Sequence, residues 1–157
     1  MNRTPRESGL LWPAVLRLAL AGAVFIGVYG ACNQLTALRE PVPTLMLPWE
    51  IHMPFVKEFV VPYWSLDGFF CGAFFLCASR AQLNLLTKRL IAVTLASGLF
   101  YLLFPLKLGF PRPMPEGWTA PWFKALYFND LPYNLAPSLH ISLRSLVWVL
   151  YGGVLTG

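Results

Sequence analysis

Charge is what this sequence has least of. Asp, Glu, Lys and Arg make up 12% of its 157 residues, while 57% are hydrophobic. Soluble domains carry about 25% charged residues, and a domain of this length has too little interior to hide so much apolar surface. The same composition excludes intrinsic disorder. There is no glycine period and no charged heptad, which excludes collagen-like and coiled-coil chains. Cysteine and histidine are also scarce. Cys32, Cys71 and Cys77 show no paired spacing, and His52 and His140 are the only histidines. That set does not assemble a zinc site, so neither a metal nor another cofactor is expected. The net charge is +5, but the 12 basic residues are scattered and form no stripe interleaved with aromatics. Nucleic acid is therefore not an expected partner. An all-α, polytopic transmembrane helical bundle remains.

Four apolar segments are present, at about 10–32, 59–79, 90–106 and 139–157. A helix needs roughly 20 apolar residues to cross a bilayer, and the four segments are predicted to be spans of a single domain, 1–157. They do not alternate polar and apolar residues as barrel strands would. Arg17, Asp67 and Arg144 are the Asp, Glu, Lys or Arg residues inside them. A cleaved signal peptide or a lipoprotein signal ending near Ala31-Cys32 is disfavoured, because the apolar core runs past Gly30 and carries Arg17.

The loops set the orientation. Arg3 and Arg6 precede the first segment, and Arg80, Lys88 and Arg89 lie between the second and third, with only Glu7 opposing them. The connections 33–58 and 107–138 mix both signs. The positive-inside rule then puts the N-terminus in the cytoplasm and these two connections outside, at the cell (inner) membrane. Trp12, Trp49, Trp64, Trp118 and Trp122 fall near the expected interfaces, where aromatic rings prefer to sit. Both outer connections are rich in proline, which restricts the backbone and shapes them.

The segment from Pro105 to Arg144 concentrates the chemistry. Lys107 and Arg112-Pro113 follow the third segment, and Pro137-Ser138-Leu139-His140 heads the fourth. Both lie at the same membrane face. Arg grips phosphate oxygens through a planar fork and Lys adds a point charge. A helix opened by Pro137 offers free backbone N–H groups, and helix N-termini bind anions. Ser138 adds a hydroxyl donor, and His140 can act as general acid to a leaving alkoxide. No metal is required, since these groups can carry the charge.

These residues resemble a family. Pro137-Ser138-Leu139-His140 is similar to the P-S-G-H motif of the type 2 phosphatidic acid phosphatase superfamily, and Lys107 with Arg112-Pro113 is similar to its K-x6-R-P motif. The stretch Pro48-Trp49-Glu50-Ile51-His52-Met53-Pro54-Phe55, followed by Tyr63, resembles a P-S-L-H branch. That branch contains inositol phosphorylceramide synthase-like enzymes and bacterial phosphatases, some fused to a dual-specificity phosphatase domain. The resemblance covers roughly 45–150. It implies a six-helix core and phosphoester hydrolysis on a lipid phosphate at the outer face. Arg112, Ser138 and Lys107 would bind phosphate and His140 would protonate the leaving oxygen. The Lys107–Arg112 spacing is x4 rather than x6, and Leu139 replaces glycine.

The family's third motif, S-R-x5-H-x3-D, which supplies the nucleophilic imidazole, has no counterpart here: Ser142-Leu143-Arg144-Ser145 is followed by neither His nor Asp. The expectation is therefore an N-terminal portion of such a protein, unable to catalyse alone. Two alternatives stay open, a lipid phosphotransferase of the inositol phosphorylceramide synthase kind and a non-catalytic membrane fragment. Arg144, one turn past His140, is expected either to line the site or to pair with Asp67, for which a structural role is otherwise expected. The substrate lipid and the oligomeric state are not specified by these residues. A reporter fused near Glu116 is expected on the outside of the membrane, and a cytoplasmic reporter there would overturn the topology.

Overall fold

The computed structural model describes residues 6–39 and 41–156; Arg3, Glu40 and Gly157 of the sequence reading lie outside them. Among the described residues the protein is helical, with no strand beyond isolated bridges. Helix α1 spans Leu11–Ala37, α2 Val60–Leu76, α3 Arg80–Leu103, α4 Ala120–Asn129 and α5 Leu139–Thr156. Short 3-10 turns lie at Glu50–His52, Lys57–Phe59 and Gly117–Thr119. Three helical segments, Leu11–Ala37, Lys57–Leu76 and Arg80–Leu103, are long and apolar enough to cross a membrane. The apolar stretch of α5, Leu139–Val149, is shorter.

The third helix departs most from the sequence expectation. It begins at Arg80 rather than near Leu90, so Arg80, Lys88 and Arg89 ride on the helix instead of forming a connection. The cause is local. Ser79 is extended and its hydroxyl accepts from the Gln82 backbone N–H. Gln82 Oε1 reaches back to accept from the Ala78 N–H at 2.8 Å. Together they make a variant of the S-x-x-Q capping box. Charge marks where apolar sequence begins, whereas the cap marks where helix begins, and Lys and Arg are good helix formers.

The N-terminal segment clasps this turn. Arg6 donates to the Phe75 carbonyl at 3.0 Å, near the negative end of α2. Glu7 accepts from the Arg80 N–H at 3.1 Å, at the positive end of α3. Both placements match the helix dipoles. Nearby, Arg17 Nε donates to Asn84 Oδ1 at 2.6 Å and ties α1 to α3.

The four long helices form a ring. α3 packs on α1 and α5, and α2 packs on the same two from the other side. Leu83, Leu86, Leu90, Ala73, Phe74, Cys77, Ala14, Leu139 and Leu143 form the buried cluster where they meet. Tyr151 OH donates to the Ala73 carbonyl at 2.5 Å, joining α5 to α2. Outward-facing Leu20, Phe69, Leu99 and Trp148 remain exposed, a surface that suits lipid rather than water.

α1 and α3 approach closely because Gly98 has no side chain. A Cβ there would stand 2.5 Å from Val28 Cγ1. Cys32 Sγ also reaches the Gly98 carbonyl at 3.5 Å. Small residues permit such backbone proximity between membrane helices. Gly98→Leu is expected to separate the two helices and lower stability by about 1–3 kcal/mol. Gly72→Ala, whose added Cβ meets nothing within 4 Å, is expected not to lower it. Thermal unfolding in detergent checks the pair, and equal midpoints would contradict the close contact.

Candidate functional site

The connection from Pro105 to Ser138 is folded against the helix ends rather than free. Lys107 N–H donates to the Pro43 carbonyl and Leu108 N–H to the Pro132 carbonyl, both at 2.9 Å. Three connecting segments therefore lie side by side, with bridges from Lys107 to Thr44 and Tyr133. Pro121 near the start of α4 suits a helix first turn. Phe123 of α4 packs against Phe55 (ring centroids 5.5 Å apart) and Trp122 against Trp64 (6.1 Å). The α4 helix, absent from the sequence expectation, is thus held by aromatic contacts over the α2 end of the ring.

Arg112 closes this arrangement. Its guanidinium donates to the Asp130 carbonyl, to the Leu131 carbonyl at 2.9 Å, and to Asp130 Oδ2 at 3.4 Å. It also lies 5.0 Å from the centre of the Tyr127 ring, a cation–π placement. Burial pushes the Tyr127 phenol above its ordinary pKa, and the Arg112 cation pulls it back. Tyr127 OH donates to the Pro113 carbonyl at 2.9 Å, completing the loop. The other oxygen of Asp130 accepts from Tyr29 OH of α1 at 2.5 Å. Asn134, at φ 59°, adds a bond from its amide to the Tyr29 carbonyl at 3.2 Å. Asn tolerates this left-handed backbone better than most residues. Tyr101 OH of α3 donates to the Pro137 carbonyl at 2.7 Å.

α5 begins at Leu139. Ser138 stands just before it, its carbonyl accepting from the Ser142 N–H and hydroxyl, both at 3.0 Å. Leu139 is buried in the central cluster. His140 faces inward, its ring 4.8 Å from that of Tyr63 of α2. Asp67, one turn further along α2, faces the same space and lies within electrostatic reach of His140. Tyr63 is also within reach of Arg112 and Asp130.

Below this polar corner a cavity of about 530 Å³ opens between α1 and α2. Its walls are mostly apolar, with polar groups from Tyr29, Tyr63, Trp64, Asp67, Thr94, Asp130 and His140 among them. It extends along α1 from Tyr29 to Leu18, about 16 Å at 1.5 Å per residue. That is about half the ~30 Å hydrocarbon thickness of a bilayer.

The sequence-predicted residues therefore divide. His140 packs on Tyr63 with Asp67 in the same cavity wall, whereas Arg112 pairs with Asp130 and has Tyr63 within electrostatic reach. Lys107 joins neither group. It is exposed and shares a separate cleft of about 250 Å³ with Arg39, Pro41, Val42 and Tyr133. Arg144 is exposed, outside the cavity lining, and makes no ion pair with Asp67, so the expected pairing is corrected. Ser138 does not line the cavity. His52 is exposed on its 3-10 turn.

Tyr29 and Asp130 were missed by the sequence reading, and Tyr63 was named only as part of a resembling stretch, with no role at the site. Tyr29 carries no motif, and Asp130 resembles any loop acid before it folds onto Arg112. No family model matches the chain, and neither a curated protein nor a solved structure matches it.

Proposed function

We propose that this chain binds the phosphate-ester head of a membrane amphiphile at the outer face of the membrane, in the manner of a lipid-phosphate phosphatase. The observation that supports the reading best is the meeting of two distant motif pieces at Tyr63. Its ring packs on His140 while Arg112 stands within its electrostatic reach. An apolar cavity runs inward from that corner. An amphiphile with an anionic head and a hydrocarbon body matches both parts.

In this reading the N-terminus is cytoplasmic, α5 is a fourth span, and the corner faces outward. Arg112 exchanges the Asp130 carboxylate for phosphate oxygens, keeping a charge-assisted fork. Ser138 and the free N–H groups of the first turn of α5 add donors. His140 gives its proton to the departing alkoxide. Lys107, in its own cleft with Arg39, attracts anionic heads from outside rather than touching the reacting ester.

Hydrolysis also needs an imidazole nucleophile held by a second group, and the chain has no counterpart of the motif that supplies it. Phosphoester binding and leaving-group protonation are therefore the roles assigned to these residues. Whether water or another alcohol takes the phosphoryl group would be decided by the acceptor, as in a phosphotransferase.

Binding of dodecyl phosphate and dodecanol to the full chain in nanodiscs tests the reading. The phosphate is expected to bind at least about tenfold more tightly, corresponding to ~1.4 kcal/mol. Arg112→Ala is expected to remove that preference. Equal binding of the two compounds by the unsubstituted chain would overturn it.

A further inference from the structure

Asp67 stands in the wall of the cavity with no strong cation beside it. The ion pair among the described residues is Arg112–Asp130, and Asp130 is further satisfied by Tyr29. Neither Arg nor Lys lines the cavity, and its single basic side chain is His140. A carboxylate set among apolar walls is costly unless a counter-charge accompanies it. Ionisable groups inside membrane segments mark ligand or ion paths by default.

The surrounding walls narrow the class of counter-charge. Phe25, Tyr63, Trp64, Phe70 and Phe74 present aromatic surface to the cavity. Aromatic faces attract cations, most of all desolvated organic ones. The buried indole N–H of Trp64 has no hydrogen-bond partner, so this wall has an unused donor as well. A metal ion suits the site poorly. Hard cations take six or more oxygen ligands, and among the described residues no group of three His, Cys, Asp or Glu side chains could hold a metal. A volume of about 530 Å³ lies within the roughly 300–1,000 Å³ of small-molecule sites.

We propose that this cavity binds an amphiphilic organic cation, its charge against Asp67 and its apolar body between α1 and α2. The charged head of the cation sits at Asp67 and not at Arg112, which does not line the cavity, while its apolar body takes the same space as the hydrocarbon body of the phosphate amphiphile.

Equilibrium dialysis of the full chain in phosphatidylcholine nanodiscs, with tetraphenylphosphonium and tetraphenylborate as probes, tests this. The two ions match in shape and differ in sign. Saturable binding of the phosphonium alone is expected, weakened about tenfold or more by Asp67→Asn and largely kept by Asp67→Glu. Cys71 provides a readout without substitution, since it lines the cavity and is exposed, whereas Cys32 and Cys77 are buried. Bound phosphonium is expected to slow Cys71 alkylation by N-ethylmaleimide. Equal binding of the two ions, unchanged affinity in Asp67→Asn, or no protection of Cys71 would each overturn the proposal. Dodecyl phosphate binding is read separately, so either assignment can fail without the other.

Discussion

The carboxylate of Asp130 is the point on which the connecting-segment end of the protein depends. One oxygen faces the Arg112 guanidinium and the other accepts from Tyr29 OH. Three sequence-distant parts, the 105–113 segment, the end of α4 and the middle of α1, are joined through it. Without it, Arg112 would carry an unpaired charge at the edge of a low-dielectric region, where an uncompensated ion is strongly disfavoured. Tyr29 would also lose the partner that turns an α1 side chain towards the connection. The Asn134 and Tyr101 bonds then seat the Pro137 turn, and that turn aims His140 inward. The position of the histidine thus follows from a contact made ten residues earlier in the chain.

What could be read in advance is explained by which signals are local. Apolar runs identified three of the helices that can cross a membrane, because burial in lipid depends on composition over some twenty residues. The beginning of α3 was also written locally, in Ser79 and Gln82, but a search for apolar windows passes over a polar capping pair. α4 escaped for a different reason. It is ten residues long, and isolated helices so short are marginal in water. Phe55 and Trp64, more than fifty residues away, supply the packing it needs, and no window around Ala120–Asn129 contains them.

The site was legible in the same uneven way. Arg112 and His140 are residue types that suit phosphate, and each has Tyr63 within reach in the fold. Lys107 has a suitable side chain but is drawn into a bridge with Thr44 and Tyr133, which places it in another cleft. Asp67 was conspicuous from the start as a charge in an apolar run. Its neighbours Tyr63 and His140 could be named only once α2 and α5 were seen to pack together. Arg112 is paired with Asp130 at the polar corner, while Asp67, two turns along α2, has His140 within electrostatic reach.

The central claim, that the space between α1 and α2 receives the body of an amphiphile whose head sits at Arg112, is tested most directly by photo-crosslinking. A dodecyl phosphate with a diazirine at the chain end would be irradiated with the full chain in nanodiscs and its adducts mapped by mass spectrometry. The account predicts adducts on cavity residues such as Leu18, Phe74 and Leu143. Adducts confined to outward-facing Phe69, Leu99 and Trp148 would contradict it.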